Sequence, residues 1–498
     1  MKLVHFPLTG AAPEPKSSPM TPLPPLPAFP PGFLWGVSAS AFQIEGAVHA
    51  GGRGPTTWDA FTREPGRIKD GSDADVATDH YHRYREDVAL MAQLGVGAYR
   101  FSIAWSRVQP TGEGPANRQG LDFYDRLVDE LCAAGIAPVP TLFHWDTPLA
   151  LEERGGWLDR DTAHRFAAYA ALVAERLGDR VPRWITLNEP AEITLLGYGL
   201  GEHAPGKRLI FDALPAAHHQ LLAHGLGVEA LRAAGAREIG IAASHSPVWT
   251  AGDSEEDRAA AELYDTLMNR LFADPILTGA YPEGWAELMP GPVAEDLSVI
   301  SAPLDWYGIN YYNPALVGAP EPDAVTSLAG IALPPDLPFG LHEIEGHDRT
   351  DFGWPVVPDG LRELLVTFRA RYGDALPPVL ITENGCSYGD GPDPASGGRV
   401  ADTRRIAYHD GHLRALHRAM AESVDVRGYF IWSILDNFEW AEGYRQRFGL
   451  VHVDYETLTR TPKDSYAWYR DVVRAAGKGP GRADAGEEVG EGPAGEAR

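Results

Sequence analysis

A stretch with helical hydrophobic spacing, a stop signal, then a short apolar run rich in β-formers: three such units follow one another in the first half of this chain. Tyr81, Tyr84, Val88 and Met91 recur at helical spacing and Gly95 follows; VGAYRFSIAW comes next. Leu121, Tyr124, Val128 and Leu131 mark a second helix, ended by Gly135 and followed by IAPVPTLFHW. Asp161 is expected to cap a third, through Phe166, Tyr169 and Val173 to Gly178, before VPRWITLNEP. REIGIAASH, LDWYGINYY, PVLITENG and VRGYFIWSIL continue the series less regularly, and FLWGVSAS near the start makes eight strands. Helices alternating with short apolar strands imply βαβ units and a parallel sheet. Eight of them predict an α/β fold: a single (β/α)8 TIM barrel whose long βα loops form a deep pocket. No sequence repeat is visible; only the element types recur.

The 498 residues would hold two or three ordinary domains, but a barrel with long loops uses such a length as one. Residues 1–29 form a proline-rich extension, expected to lie extended as a tail or surface strap. Residues 30–476 are read as the barrel. Residues 477–498 are rich in Gly and Glu, hold no large apolar side chain beyond valine, and are expected to be disordered. The net charge of −26, from 69 acidic and 43 basic residues, opposes binding to nucleic acid or anionic lipid. No run of about eighteen apolar residues is present to span a membrane, and the N-terminus has no long apolar signal region. Two cysteines, Cys132 and Cys386, make no disulfide framework. Cys132 is expected to pack on a helix and Cys386 to line the site. These features point to a cytoplasmic protein whose partner is a small molecule. The sequence does not set its oligomeric state.

The ends of the strands carry the chemistry. The apolar runs stop at His144-Trp145, Asn188-Glu189, Asn310-Tyr311-Tyr312, Glu383-Asn384 and Trp432. In a barrel these C-terminal ends converge on one mouth. Two glutamates, Glu189 in ITLNEP and Glu383 in LITENG, end strands beside an asparagine and a turn former. Each would form either an internal ion pair or half of a catalytic carboxyl pair. Glycoside cleavage uses such a pair, with retention at a separation of about 5–5.5 Å and inversion at about 6.5–9.5 Å. Trp145, Trp306, Tyr312, Trp354, Trp432, Trp440 and Phe448 are placed in loops or strand ends, where aromatic faces suit the C–H surface of a sugar.

The motifs as an ordered set are similar to glycoside hydrolase family 1. The run FLWGVSASAFQIEGA at 33–47 resembles its N-terminal signature. YRFSIAWSR at 99–107, HWDTP at 144–148, TLNEP at 186–190, ITENG at 381–385 and WSILDNFEWAEGYRQRFGLVHVDY at 432–455 resemble further blocks. The likeness extends over about residues 30–475 and looks nearest to the bacterial β-glucosidases. It implies a (β/α)8 barrel and a retaining, exo-acting β-glycosidase that removes a terminal β-glucosyl unit from oligosaccharides or aryl and alkyl glycosides. Galactosyl and fucosyl units are left open. The same resemblance makes Glu189 the acid/base and Glu383 the nucleophile. Gln43, His144, Asn188, Glu439 and Trp440 would hold the sugar, and Trp432 would be its stacking platform. Trp145 and Phe448 would complete the substrate pocket. Arg100 and Tyr312 would contact the nucleophile, with Asn310 supporting it. No cofactor and no metal is implied.

These roles make physical sense. Arg100 would stabilise Glu383 as a carboxylate, and that charge would raise the pKa of Glu189 so that it starts protonated. Glu439 stands where the phosphate-accepting branch of the family typically has serine, followed by lysine and tyrosine; here Glu439, Trp440 and Glu442 occupy the region, and two carboxylates facing a dianion would repel it. An unphosphorylated sugar is therefore expected. Ala191 and Glu192 depart from the Trp and Cys that many bacterial relatives carry after NEP. Residues 314–350, rich in Gly and Pro, are expected to form a rim loop on the aglycone side. A non-catalytic sugar-binding relative would have lost one glutamate, and a thioglucosidase-like enzyme would lack Glu189. A metalloenzyme is disfavoured because His80, His82, His218 and His219 have no zinc-type spacing.

Overall fold

The computed structural model describes residues 23–320, 327–328, 331–332 and 337–477. The expectations for residues 1–22 and 478–498, and for part of the 314–350 segment, lie outside the described residues. Eight parallel strands close into a barrel: β1 (Leu34–Ser38), β2 (Ala98–Ser102), β3 (Ala137–Phe143), β4 (Arg183–Asn188), β5 (Glu238–Ser244), β6 (Tyr307–Asn310), β7 (Val379–Asn384) and β8 (Val426–Trp432). Each strand pairs with its neighbours in sequence, and β1 closes the ring on β8 through Leu34↔Gly428 to Ser38↔Trp432. Between and after them run α1 (His80–Leu94), α2 (Arg118–Ala133), α3 (Asp161–Leu177), α4 (Leu214–Ala233), α5 (Val293–Ile300), α6 (Pro358–Tyr372), α7 (Thr403–Ala421) and α8 (Asp464–Gly477).

The helices face the barrel with the stripes their periodicity predicts, with local differences. On α2 the buried stripe is Phe123, Tyr124, Leu127, Val128 and Leu131; Leu121 is only partly covered because it lies in the first turn. Asp161 is not the cap of α3 but its first residue, and its N–H donates to Asp159 Oδ1 at 3.0 Å. Cys132 lies in the last turn of α2 and is exposed rather than packed.

Inside the barrel, Ala98, Val139, Ile185, Ala242, Leu380 and Phe430 fill the floor together with Trp306. Trp306 directly precedes β6, so it enters at the N-terminal end and not at the mouth where the sequence suggested it. Its ring takes the space opposite Gly240 of β5, where a Cβ would fall 2.6 Å from the indole. A small residue facing a large one is how a closed barrel fills without voids. The floor is solid, and any pocket must open at the other end.

At that end the loops are elaborated. Between β5 and β6 the strand Val248–Thr250 joins Ala315–Gly318 and Gly340–His342 in a three-stranded sheet. The predicted rim segment is thus partly built of strands. At the opposite side of the sequence, Phe29 packs on Phe33 and Trp35 with ring centroids 4.7 and 5.1 Å away. Arg414 of α7 donates to the carbonyl of Pro25 at 3.3 Å. The described part of the proline-rich segment therefore lies along the barrel wall.

Candidate active site

Glu189 follows the last residue of β4 and precedes Pro190, which opens a short helix, Pro190–Glu192. Its backbone is left-handed, at φ 46° and ψ 63°. A side chain other than glycine is held there only where its surroundings over-determine it. Trp145, at φ 73°, and Trp440, at φ 47°, share this feature and line the same cavity. Glu383 lies in β7, where the register slips against β6 between Ile381 and Glu383. Such bulges re-aim side chains at barrel rims. Gly385 follows because the chain passes close under β8: a Cβ there would sit 1.9 Å from the carbonyl oxygen of Trp432.

The two carboxyls have opposite surroundings. Arg100, buried at the centre of β2, donates from Nη1 to Glu383 Oε1 at 2.5 Å. The hydroxyl of Tyr312 donates to Glu383 Oε2 at 2.6 Å. Burial, then the charges of Glu383 and Glu189, push the Tyr312 phenol well above its ordinary range, so it remains a donor. Glu189 receives only neutral donors: Asn310 Nδ2 at 2.8 Å and Asn188 Nδ2 at 3.2 Å. Among the described residues it has no ion pair. Burial first, then the charge of Glu383 and that of Glu192, hold its carboxyl well above the usual carboxylate range. One carboxyl is thus set up to be charged and the other to carry a proton.

Asn310, expected to support Glu383, serves the other side. Its Oδ1 accepts from the Thr382 hydroxyl at 2.6 Å, which turns its amide protons toward Glu189 and toward Asn188 Oδ1, 3.0 Å away. Asn188 also accepts from Arg100 Nη2 at 2.5 Å, and its Nδ2 lies 3.1 Å from His144 Nε2. Arg100 therefore links the strands of both glutamates.

A cavity of about 590 Å³ opens above this pair. His144, Trp432, Glu439 and Trp440 line its inner part, with Tyr312 and Phe448 beside Glu383. The His144 ring stands 5.8 Å from Trp432 and 5.9 Å from Trp440. Burial and then Arg100 hold that imidazole far below its ordinary pKa, so it is neutral. Trp145 backs Trp440 at 4.6 Å between ring centroids. Gln43 and Asn188 are fully buried behind this lining. Gln43 donates to Glu439 Oε2 at 3.2 Å and to the Phe438 carbonyl at 3.0 Å. Burial, then Glu383 and Glu442, push the Glu439 carboxyl up to about 8.

Several expectations are corrected here. Glu442 is paired with Lys69, which offsets part of the negative charge it presents to Glu439. Cys386 does not line the cavity: Arg405 grips its carbonyl and the thiol is buried with Tyr388 and Tyr408. His80 and His218 are committed to Asp87 and Asp296 at 2.7 and 2.9 Å. No group of three or more His, Cys, Asp or Glu side chains placed to hold a metal occurs among the described residues. In the outer half of the cavity the sequence indicates the rim segment but not the π-helical turns. That half is formed by the π-helical turns Ile193–Gly199 and Thr266–Arg270 and by the rim sheet. Its sequence signals are the Gly- and Pro-rich rim segment at 314–350, the departure at Ala191 and Glu192, and the excess of leucine in the glycine-rich stretch after NEP.

The family model for glycosyl hydrolase family 1 matches residues 27–478. A thermostable β-glucosidase B from Thermobispora bispora is 48% identical over 456 residues, covering 90% of this chain and 91% of the relative. A bifunctional β-D-glucosidase/β-D-fucosidase from Bifidobacterium breve is 43% identical, covering 89% and 98%. The crystal structure of a psychrophilic β-glucosidase from Micrococcus antarcticus superposes with a TM-score of 0.84 at 46% identity, covering 90% and 98%. With this model matched across the barrel and likeness of this depth along whole chains, the protein belongs to glycosyl hydrolase family 1 and is a retaining β-glycosidase.

Proposed function

We propose that Glu383 is the nucleophile and Glu189 the acid/base in removal of a terminal β-glucosyl unit. The observation that carries this is the asymmetry of the pair: Glu383 is held by Arg100 and Tyr312, and Glu189 by two neutral amides in a buried place. Glu383 attacks the anomeric carbon while Glu189 gives its proton to the departing oxygen. Once Glu383 is esterified its charge is gone, and with it the main electrostatic reason for Glu189 to hold a proton. Glu189 then takes a proton from water as the water attacks, and free sugar leaves with its β configuration.

Trp432 gives the sugar a face, and Glu439 offers two acceptor oxygens for its hydroxyls. Neutral His144 can donate or accept at another hydroxyl. Gln43 and Asn188 hold Glu439 and Glu189 in place through their amides. The bifunctional relative supports a glucosyl site that also admits a fucosyl unit. The free thiols of Cys132 and Cys386 support a reducing, cytoplasmic setting.

The test is azide rescue of two glycine variants with a nitrophenyl β-glucoside. Glu189→Gly with azide should give β-glucosyl azide, and Glu383→Gly with azide should give the α-anomer. The reverse pattern, or full activity in either variant without azide, refutes the assignment.

A further inference from the structure

Beyond the sugar position the cavity continues as a lobe lined by residues of the two π-helical turns. Leu195, Tyr264, Leu267, Met268 and Phe339 form its walls. Tyr264 and Phe339 meet edge to face at 5.3 Å. π-helical turns of this kind are common at functional sites because they push side chains out of helical register.

One carboxyl stands at the inner end of this apolar lobe. Glu192 lies one turn beyond Glu189, and its N–H donates to the Glu189 carbonyl at 3.1 Å. The Ser244 side chain, at the end of β5, lines the cavity with it. Outside the sugar position, where Glu189 and Glu439 stand, the other carboxyls along the cavity are matched by cations: Glu442 by Lys69, Glu202 by Arg208, Glu343 by Arg349. Glu192 has no such partner among the described residues. It therefore presents spare acceptor capacity to whatever fills the lobe, and burial holds its own pKa above the ordinary value.

Resting on the assignment of Glu189 as the acid, we infer that Glu192 selects the leaving group. The lobe takes an aglycone with an apolar body that offers a hydrogen-bond donor, neutral or cationic, to Glu192, and it rejects one bearing a carboxylate there. Apart from Glu192, Ser244 and the Tyr264 hydroxyl, the walls named above are hydrocarbon or thioether. The ring of hydroxyls on a second sugar would lose water against those walls with few partners in return, whereas an aryl or alkyl body would not. A carboxylate brought beside Glu192 would add a second negative charge with no cation to offset it.

The experiment compares kcat/KM at pH 7.5 for phenyl β-glucosides carrying a meta hydroxymethyl, aminomethyl or carboxylate group. The wild type is expected to disfavour the carboxylate by at least about tenfold against the hydroxymethyl compound, and Glu192→Gln to bring the ratio within about threefold. A wild type with no such preference overturns the inference, and so does a Glu192→Gln variant that keeps it in full. The wild-type series decides alone if the variant does not fold. Labelling of the wild type by 2-deoxy-2-fluoro-β-glucosyl fluoride, which has no aglycone body, keeps the two readings apart: absence of label on Glu383 faults the proposed nucleophile, not the lobe.

Discussion

Replacing Glu439 by glutamine removes a carboxyl that the fold holds at about 8 against an ordinary 4.5. The causes are burial, then Glu383, then Glu442. A fold that binds a proton more tightly than the unfolded chain is favoured at low pH. Below about pH 4.5 both states are protonated and the carboxyl costs nothing. As pH rises toward 8 the unfolded chain gains by ionising and the fold does not, so stability drains away; above 8 the loss is complete. The shift corresponds to at most about 5 kcal/mol, and water in the cavity reduces this to roughly 2–3 kcal/mol. Glutamine does not titrate, and its Oε1 still accepts from Gln43. For a chain of this size unfolding entropy makes 1 kcal/mol worth about 1 °C. Glu439→Gln is therefore expected to match the wild-type Tm near pH 4.5 and to exceed it by about 2–3 °C at pH 8.5, while binding glucose less well. Scanning fluorimetry of both proteins across that range is the assay. A Tm difference that stays flat with pH, or shrinks as pH rises, refutes the reasoning.

Tyr312→Phe removes the donor to Glu383 Oε2, a bond to a charged group worth about 1.5–3 kcal/mol. Its kcat/KM on a nitrophenyl glucoside should fall about ten- to hundredfold, and a loss below about threefold would dismiss the contact as catalytically idle. Glu189→Gln should depress turnover of alkyl glucosides by about 10²–10⁴-fold and of dinitrophenyl glucosides far less in the first step; equal losses in pre-steady-state release of both leaving groups would count against an acid role. Gly385→Ala forces a Cβ against the Trp432 carbonyl and should cost about 1–3 kcal/mol by urea unfolding, with activity lost alongside; a silent substitution would show that the two strand ends can part.

The barrel was legible because helical and apolar β-rich stretches alternate, and because polar or aromatic residues end the strands on one side. His144, Glu189, Glu383 and Trp432 were readable in this way: chain direction alone puts a strand's last residue at the mouth. What lay across strands was not. The resemblance puts Asn310 beside the nucleophile, but the Thr382 hydroxyl decides which way its amide faces. Trp306 was grouped with the mouth aromatics although it enters β6 from the far end, and Gly240 opposite is what makes room for it. Lys69, distant in sequence, offsets part of the charge of Glu442. The outer lobe depends on π-helical turns, which have no hydrophobic period of their own and so leave no pattern in the sequence.

The central claim is that the two carboxyls divide their labour, with Glu383 forming the bond to the sugar. Incubation with 2-deoxy-2-fluoro-β-glucosyl fluoride followed by peptide mass mapping tests it most directly. Slow turnover of the fluorosugar ester should leave one label per chain, on Glu383, and NMR of a normal β-glucoside reaction should show β-glucose as the first product. Label on Glu189 or elsewhere, or first appearance of α-glucose, would contradict the account.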